Sequence, residues 1–252
     1  MSRRTPKHRD RPAVDAPVPI YGFHAARSAL ANPARRIGRI MATRNAAARI
    51  EAECGALGRE PEIVPPRALD ALLPRDAVHQ GVLVEAAPLA VATLADIEPA
   101  AKAPLVILDK VTDPRNVGAV LRAAAAFGAS HLIMTRRNRP PESGVLAKAA
   151  SGGLEHVGLV EVPNLARALA DLAERPVFIA GLDSDGDEAL ESLTVDGPIA
   201  LVLGAEGEGM RALTRRHCDG VYRLTVPGPI RSLNVSTAAA VALHALTVSR
   251  SD

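Results

Sequence analysis

Short apolar segments alternate with helical segments along the second half of the chain, and this alternation limits the possible folds more than any other feature. The runs LVILD (105–109), HLIM (131–134), VFIAGL (177–182) and IALVLG (199–204) have the length and β-branched content of buried parallel strands. Helical patterns follow at 116–127, 143–153, 164–174 and 206–217. The sequence therefore predicts an α/β domain with a parallel sheet over residues 105–252. Such sheets bind ligands at the carboxyl ends of their strands.

The preceding part of the chain predicts a second, small α/β domain over residues 18–87. Its predicted elements are helices at 23–31 and 45–58, the latter starting at an N-cap Asn45 and ending at Gly58, and strands at 37–43 and 81–86. Residues 1–17 are expected to form a disordered basic tail, either a solubilising end or an arm for RNA, and residues 88–104 a linker. Arginines at 35, 36, 39, 44 and 49 form either an ordinary solvated surface or a phosphate-binding face.

Composition excludes several classes of protein. No apolar run approaches the length of a membrane span, so we expect no membrane association. Cys54 and Cys218 are far apart, which predicts neither a disulfide framework nor a zinc site and fits a cytoplasmic location. Aromatic residues make up 2% of the chain, too few for a stacking platform that binds single strands. We expect no bound metal, because no cluster of ligands is evident.

Candidate functional residues occur in three polar segments next to predicted strands and helices. Asn116 is a candidate helix N-cap, and Arg122 lies in mid-helix, where small neighbours leave its guanidinium approachable or where it simply reaches solvent. Glu206 lies in the glycine-rich LGAEGEGM (203–210), which is either a plain turn or the site of a neutral or cationic ligand. Ser232 and Asn234 either cap the last predicted helix, 234–247, or bind a polar ligand at its start.

The segments NVGAVLR, LGAEGEGM and SLNVS, in this order, resemble the three motifs of the SpoU (TrmH) branch of the SPOUT superfamily. Members are RNA ribose 2′-O-methyltransferases that use S-adenosylmethionine. The resemblance covers residues 105–247 and implies a parallel-sheet domain with a trefoil knot that works as a homodimer. IYGFHAARSAL and HQGVLVEA are similar to the small ribosomal-protein-like RNA-binding domain of RlmB-type members, which implies a guanosine of 23S rRNA, or of a large-subunit precursor, as the substrate.

The resemblance also implies roles for single residues. It makes Arg122 the catalytic residue near the ribose 2′-hydroxyl, and it adds to the catalytic set Asn116, Glu206, Ser232 and Asn234. The implied cofactor-binding residues are Leu203, Gly204, Leu224, Val226, Leu233 and Asn234. Because a guanidinium normally stays protonated, we expect Arg122 to hold the nucleotide and stabilise the developing alkoxide. The alternative is that Arg122 acts as the base after it has lost its own proton to an RNA phosphate. The chain departs from the family pattern in carrying its prolines at 227 and 229.

Four other functions remain as alternatives. A tRNA ribose 2′-O-methyltransferase and an rRNA resistance methyltransferase would share the motifs and differ only in substrate. A non-enzymatic RNA-binding assembly factor would be expected to have lost motif residues, which are all present. A nucleotide-dependent oxidoreductase would need G-x-G-x-x-G after the first strand, where the chain has LDKVTDPRN.

Overall fold

The computed structural model describes residues 16–54 and 60–248. Within these residues the chain forms two β-sheets, one after the other in sequence. The first contains elements β1 (Val18–Tyr21), α1 (Phe23–Ala31), β2 (Ile37–Ala42), α2 (Arg44–Cys54), β3 (Glu62–Ile63), α3 (Pro66–Asp70) and β4 (Val82–Ala86). Its strand order is β1-β4-β2-β3, with β4 antiparallel to both β1 and β2. Most of the predicted tail, and Gly58, lie outside the described residues.

The second sheet has seven strands within the described residues and only parallel pairings among them. Its elements are β5 (Leu105–Asp109), α4 (Pro114–Ala126), β6 (His131–Thr135), α5 (Gly144–Ala150), β7 (Gly158–Val162), α6 (Leu165–Ala173), β8 (Phe178–Leu182), β9 (Glu188–Ala189), β10 (Ile199–Gly204), α7 (Ala212–Arg216), β11 (Gly220–Arg223) and α8 (Val235–Val248). The strand order is β7-β6-β5-β10-β8-β11-β9. The predicted α/β fold with a parallel sheet is confirmed.

Both faces of this sheet are covered by helices, which explains why its central strands are apolar throughout. Along β5, Val106 and Leu108 pack with α4 and α8, whereas Leu105 and Ile107 pack with α6 on the opposite face. Gly118 lies where α4 crosses α5, and a Cβ there would lie 2.6 Å from the Leu146 carbonyl oxygen. Its small size therefore serves helix packing rather than access to Arg122.

Three predicted helix positions are wrong. Asn116 does not cap α4, because the helix begins at Pro114 and the Asp113 carboxylate accepts from the Arg115 N–H at 2.7 Å. Asn45 lies inside α2, and the Thr43 hydroxyl accepts from the Ala46 N–H one turn into the helix. The predicted helix 206–217 is confined to α7, because its first half forms a glycine-rich loop.

The two sheets are joined through a buried ion cluster. Arg35 lies between α1 and β2 of the small domain and is 5% exposed. Its guanidinium contacts Glu142 and Glu155 of the larger domain, each at 2.5 Å. The segment 88–104 connects the sheets and packs against the second. Its Ile97 is buried, and the Arg175 guanidinium donates to the carbonyls of Leu94 and Ile97. The small domain is thus held on the larger one by charge and by packing.

Candidate active site

The three polar segments meet at the carboxyl edge of the large sheet. Strands β5 and β10 are neighbours, with Asp109 opposite Gly204, so the loops that follow them start side by side. The Glu206 carboxylate accepts from Asn116 Nδ2 at 3.1 Å, from Asn234 Nδ2, and from the Val235 N–H at 3.4 Å. Asn234 Nδ2 also donates to Asn116 Oδ1 at 3.1 Å. One residue from each motif therefore joins a single hydrogen-bonded cluster.

The glycines of the second motif allow the loop after β10 to fold back on itself. A Cβ on Gly204 would lie 2.1 Å from the Gly209 carbonyl carbon, which no side chain can accommodate. Gly207 and Gly209 have φ values of 77° and 64°, a region that favours glycine. The Gly209 N–H donates to the Ala205 carbonyl at 2.9 Å and closes the loop. This turn presents Glu206 to the other two motifs.

Sequence reasoning missed a buried pair behind this loop. Asp109 is fully buried at the end of β5, and its carboxylate accepts from Arg211 through the backbone N–H at 3.0 Å and through Nε at 2.8 Å. The pair fixes the distal end of the glycine loop on the strand that carries the first motif. An aspartate ending an otherwise apolar strand was the signal available in the sequence.

A cleft of about 430 Å³ opens on one side of Glu206, within the size range of small-molecule sites. The predicted cofactor residues that line it are Leu203, Gly204, Leu224, Val226 and Leu233, and Ser232 and Glu206 line it as well. Asn234 and Asn116 do not line the cleft; they lie behind Glu206. The Asn234 side chain accepts from the Ser236 N–H at 2.9 Å, so Asn234, not Ser232, caps the start of α8.

The rim that carries the shifted prolines is held by a carboxylate. Glu191 accepts from the Thr225 N–H at 3.0 Å and from its hydroxyl at 3.2 Å. Burial opposes ionisation, but the hydrogen bonds from Thr225 prevail and hold the pKa of Glu191 below its usual range. Thr225 is therefore anchored to Glu191 two residues before Pro227.

Arg122 is not brought to this cleft by its own chain. It is exposed on α4, lines neither the cleft nor the cavities beside it, and makes no ion pair or side-chain hydrogen bond within the described part of the chain. Ala119 and Ala126, one turn away on either side, leave its guanidinium open to an approaching molecule.

Possible metal ligands, the Cys218 thiol and the lengths of the helices bear on other functions. Among residues 16–54 and 60–248, no group of three or more His, Cys, Asp or Glu side chains is arranged to hold a metal ion. Burial raises the pKa of the Cys218 thiol to about 11, so this cysteine is not a ready nucleophile. Across the same residues, no helix combines the length and apolarity needed to cross a membrane.

Comparison with known proteins places these features in a family. The family model described as "SpoU rRNA Methylase family" matches residues 103–244, and that described as "RNA 2'-O ribose methyltransferase substrate binding" matches residues 19–92. A Yersinia pestis protein named 23S rRNA (guanosine-2′-O-)-methyltransferase RlmB is 37% identical over 232 residues, 89% of this chain and 94% of the relative. A Pseudomonas putida protein of the same name is 36% identical over 234 residues, 89% of this chain and 93% of the relative.

Solved structures agree on the fold. The SpoU methyltransferase AviRb from Streptomyces viridochromogenes, crystallised with AdoMet, aligns with a TM-score of 0.77 at 21% identity, over 94% of this chain and 91% of that one. A crystal structure of an RNA 2′-O ribose methyltransferase aligns with a TM-score of 0.76 at 20% identity, over 94% and 90% of the two chains. Together with the family-model matches and the relatives, these findings show that the chain belongs to the SpoU rRNA methylase family.

Proposed function

We propose that the chain transfers the methyl group of S-adenosylmethionine to the ribose 2′-oxygen of a guanosine in 23S rRNA. The observation that carries the proposal is the cluster of Asn116, Glu206 and Asn234 beside the 430 Å³ cleft. Relatives named for this reaction are 36–37% identical over nearly the whole chain, which favours the rRNA substrate over tRNA. Such a substrate places the protein in the cytoplasm of a bacterium.

The cleft fits S-adenosylmethionine in its chemistry as well as its size. Leu203, Leu224 and Leu233 offer apolar surface for a base, and the missing side chain at Gly204 leaves the backbone accessible. The carboxylates of Asp183 and Glu206 and the guanidinium groups of Arg223 and Arg231 line the same cleft, a mixture that suits a ligand carrying both cationic and anionic groups, as S-adenosylmethionine does. When bound, the cofactor supplies an activated methyl group. The protein must bind the two substrates, orient them and allow the hydroxyl proton to leave.

The protein side chains would place the ribose and control its charge. We assign to Glu206 the role of holding the amides of Asn116 and Asn234 in one orientation, with Ser232 on the cleft wall beside them. An ordered set of dipoles at the reacting oxygen lowers the barrier without reorganisation during the reaction. Arg122 would stabilise the negative charge that develops on the ribose 2′-oxygen during methyl transfer.

A homodimer would account for the exposed valines of α8 and for the position of Arg122 on the adjoining α4. Helix α8 buries Ala239, Leu243 and Leu246, yet its outer side exposes Val241 and Val248. Large apolar side chains exposed on a helix surface are a feature of protein interaction sites. We propose that a second copy covers this side, which would also bring a protein surface to Arg122 on the adjoining α4. Light scattering should give about twice the 26.3 kDa chain mass.

The small domain over 18–87 would supply RNA contacts, but fewer arginines are available than the sequence suggests. Arg35 is buried, Arg39 pairs with Glu62, and Arg49 pairs with Glu53. Arg36 and Arg44 are exposed and have no ion pair among the described residues. Among the five arginines at 35, 36, 39, 44 and 49, the proposed phosphate contacts are therefore concentrated at these two positions.

The function is tested by methyl incorporation into defined RNA. Purified protein, labelled S-adenosylmethionine and unmodified 23S rRNA transcript should yield 2′-O-methylguanosine at one position, identified by nuclease digestion and mass spectrometry. Transfer to tRNA but not to 23S rRNA would move the chain to another substrate. Binding of the transcript without any transfer would favour the assembly-factor alternative.

A further inference from the structure

A second polar groove lies on the opposite side of Glu206 from the cofactor cleft. It has a volume of about 600 Å³ and lies beyond the carboxyl ends of β5, β6 and β7. Ala205 and Glu206 line both cavities, so they form the ridge between them. The groove continues into a hollow of about 340 Å³ that shares with it Thr112, Arg137 and Asn138. The two spaces form a path leading away from the hydrogen-bonded cluster.

Thr135 gives this groove an unmet hydrogen-bonding group. Thr135 ends β6, lines the groove and is only 6% exposed, and its Oγ1 has no hydrogen-bond partner among the described residues. A buried hydroxyl without a partner is costly, so its presence needs an explanation. A polar ligand in the groove would supply the missing partner.

The charges around the groove leave one cation available. The Lys110 ammonium pairs with Glu208 at 2.8 Å, and the Arg211 guanidinium pairs with Asp109. The flanking arginines 136 and 139 both pair with Glu161. Arg137 is exposed and, within the part of the chain that the structure describes, has no ion pair and no side-chain hydrogen bond.

The turn after β6 fixes Arg137 on the groove. The Thr135 carbonyl accepts from the N–H groups of Asn138 and Arg139, each at 3.0 Å, which closes a turn with Arg137 at its tip. The apolar wall comes from Pro163, Leu165 and Leu213. A free guanidinium, polar side chains and an apolar wall together fit a nucleotide, with its phosphate, its sugar or base edge, and its base face.

We infer that this groove binds the nucleotide next to the methylated ribose, with its phosphate on Arg137 and its polar edge on Thr135 and Asn138. The inference rests on the proposed function, because Glu206 links the groove to the cleft. RNA is favoured over a free nucleotide because the groove shares Ala205 and Glu206 with the cleft and Thr112, Arg137 and Asn138 with the adjoining hollow, so the three spaces follow one another. Of the two glutamates in the lining, Glu208 is paired with Lys110, and the charge of Glu206 lies at the ridge. We therefore place the phosphate on Arg137 and the uncharged parts of the nucleotide nearer Glu206.

Two variants separate RNA binding from folding. Arg137→Ala should raise KM for 23S rRNA transcript about tenfold, the cost of one charged contact, and reduce the slope of log affinity against log salt by about 0.7. Thr135→Val removes only the hydroxyl and should raise KM severalfold without lowering Tm. S-adenosylmethionine affinity should stay unchanged in both. Lys102→Ala removes one positive charge at the opposite edge of the sheet and should leave KM and the salt slope unchanged.

A photo-crosslinker at position 138 tests the location. Placed there in the full chain with the same transcript, it should label a nucleotide within about two positions of the methylated guanosine. Labelling only at distant nucleotides, or wild-type KM values in both groove variants while wild-type protein methylates normally, would overturn the inference and leave the proposed function intact. If wild-type protein transfers no methyl group, the proposed function fails. Transcript affinity alone then tests whether the groove binds RNA, and unchanged affinity in Arg137→Ala overturns that inference as well.

Discussion

Replacing Arg35 by alanine should destabilise the protein far more than removing a surface ion pair. The guanidinium donates to Glu142 at 2.5 Å, to the Ala87 carbonyl at 2.9 Å, and to Glu155 through Nε and Nη2 at 3.1 and 2.5 Å. The side chains of Arg35, Glu142 and Glu155 are 0%, 5% and 3% exposed. The variant would leave two buried carboxylates without their cation, at a cost of about 3–5 kcal/mol. For a chain of this size, that corresponds to a Tm lower by about 6–20 °C.

Calorimetry on Arg35→Ala and on a matched control measures this difference. Arg27→Ala breaks the Arg27–Glu53 pair, whose side chains are 43% and 33% exposed, and should cost less than about 1 kcal/mol. Adding Glu142→Gln and Glu155→Gln to Arg35→Ala removes the unpaired charges and should recover part of the loss. Equal Tm shifts for the Arg35 and Arg27 variants, or no recovery in the triple variant, would refute the argument that burial makes this cluster important for stability.

Four further substitutions test the catalytic site. Arg122→Ala should reduce kcat at least 100-fold, as expected for loss of a group that stabilises an oxyanion, with S-adenosylmethionine affinity by calorimetric titration unchanged; turnover near wild type would remove Arg122 from catalysis. Asn116→Ala and Asn234→Ala should each reduce kcat/KM strongly by freeing Glu206, and unaltered kinetics in both would exclude the cluster from the reaction. Gly204→Ala should weaken cofactor binding and lower Tm, because the added Cβ would lie 2.1 Å from the Gly209 carbonyl carbon; a wild-type Tm would show that the loop yields.

The central strands were predictable because burial on both faces leaves an unbroken apolar run. The predicted bounds of β5 and β10 are those of the structure. By contrast, β7 and β11 were missed, since GLVEV carries a glutamate that pairs with two arginines and GVYR begins with glycine and ends with arginine. These two segments form strands because they pair with neighbouring strands in the sheet, and a local sequence pattern carries no information about that pairing.

The candidate site was predictable as a set of residues but not as a geometry. The motifs indicate Asn116, Glu206 and Asn234, and only the adjacency of β5 and β10 shows that they touch. Arg35 illustrates the opposite case. The sequence placed it in a group of arginines expected on the surface, either simply solvated or binding phosphate. Its burial depends on two glutamates more than 100 residues away in sequence.

The helix that carries the first motif leads to a final prediction. Asn116 and Arg122 are six residues apart on α4, so they project about 120° apart around its axis. Asn116 faces Glu206, and Arg122 therefore points away from the cleft of its own chain. If the protein is a homodimer in which Arg122 serves the partner's cleft, a dimer of one Arg122→Ala and one Asn234→Ala subunit contains one intact site.

Mixing the two inactive variants distinguishes the alternatives. Random exchange makes half of the dimers mixed, each with one intact site of two, so activity should recover to about a quarter of the wild-type value. If Arg122 instead serves its own cleft, every site in the mixture lacks one group and activity stays at the level of the single variants. Co-expression with two affinity tags, followed by tandem purification of the mixed dimer, raises the expected recovery to about half. Because neither variant is active alone, any recovery at that level requires an active site built from two chains.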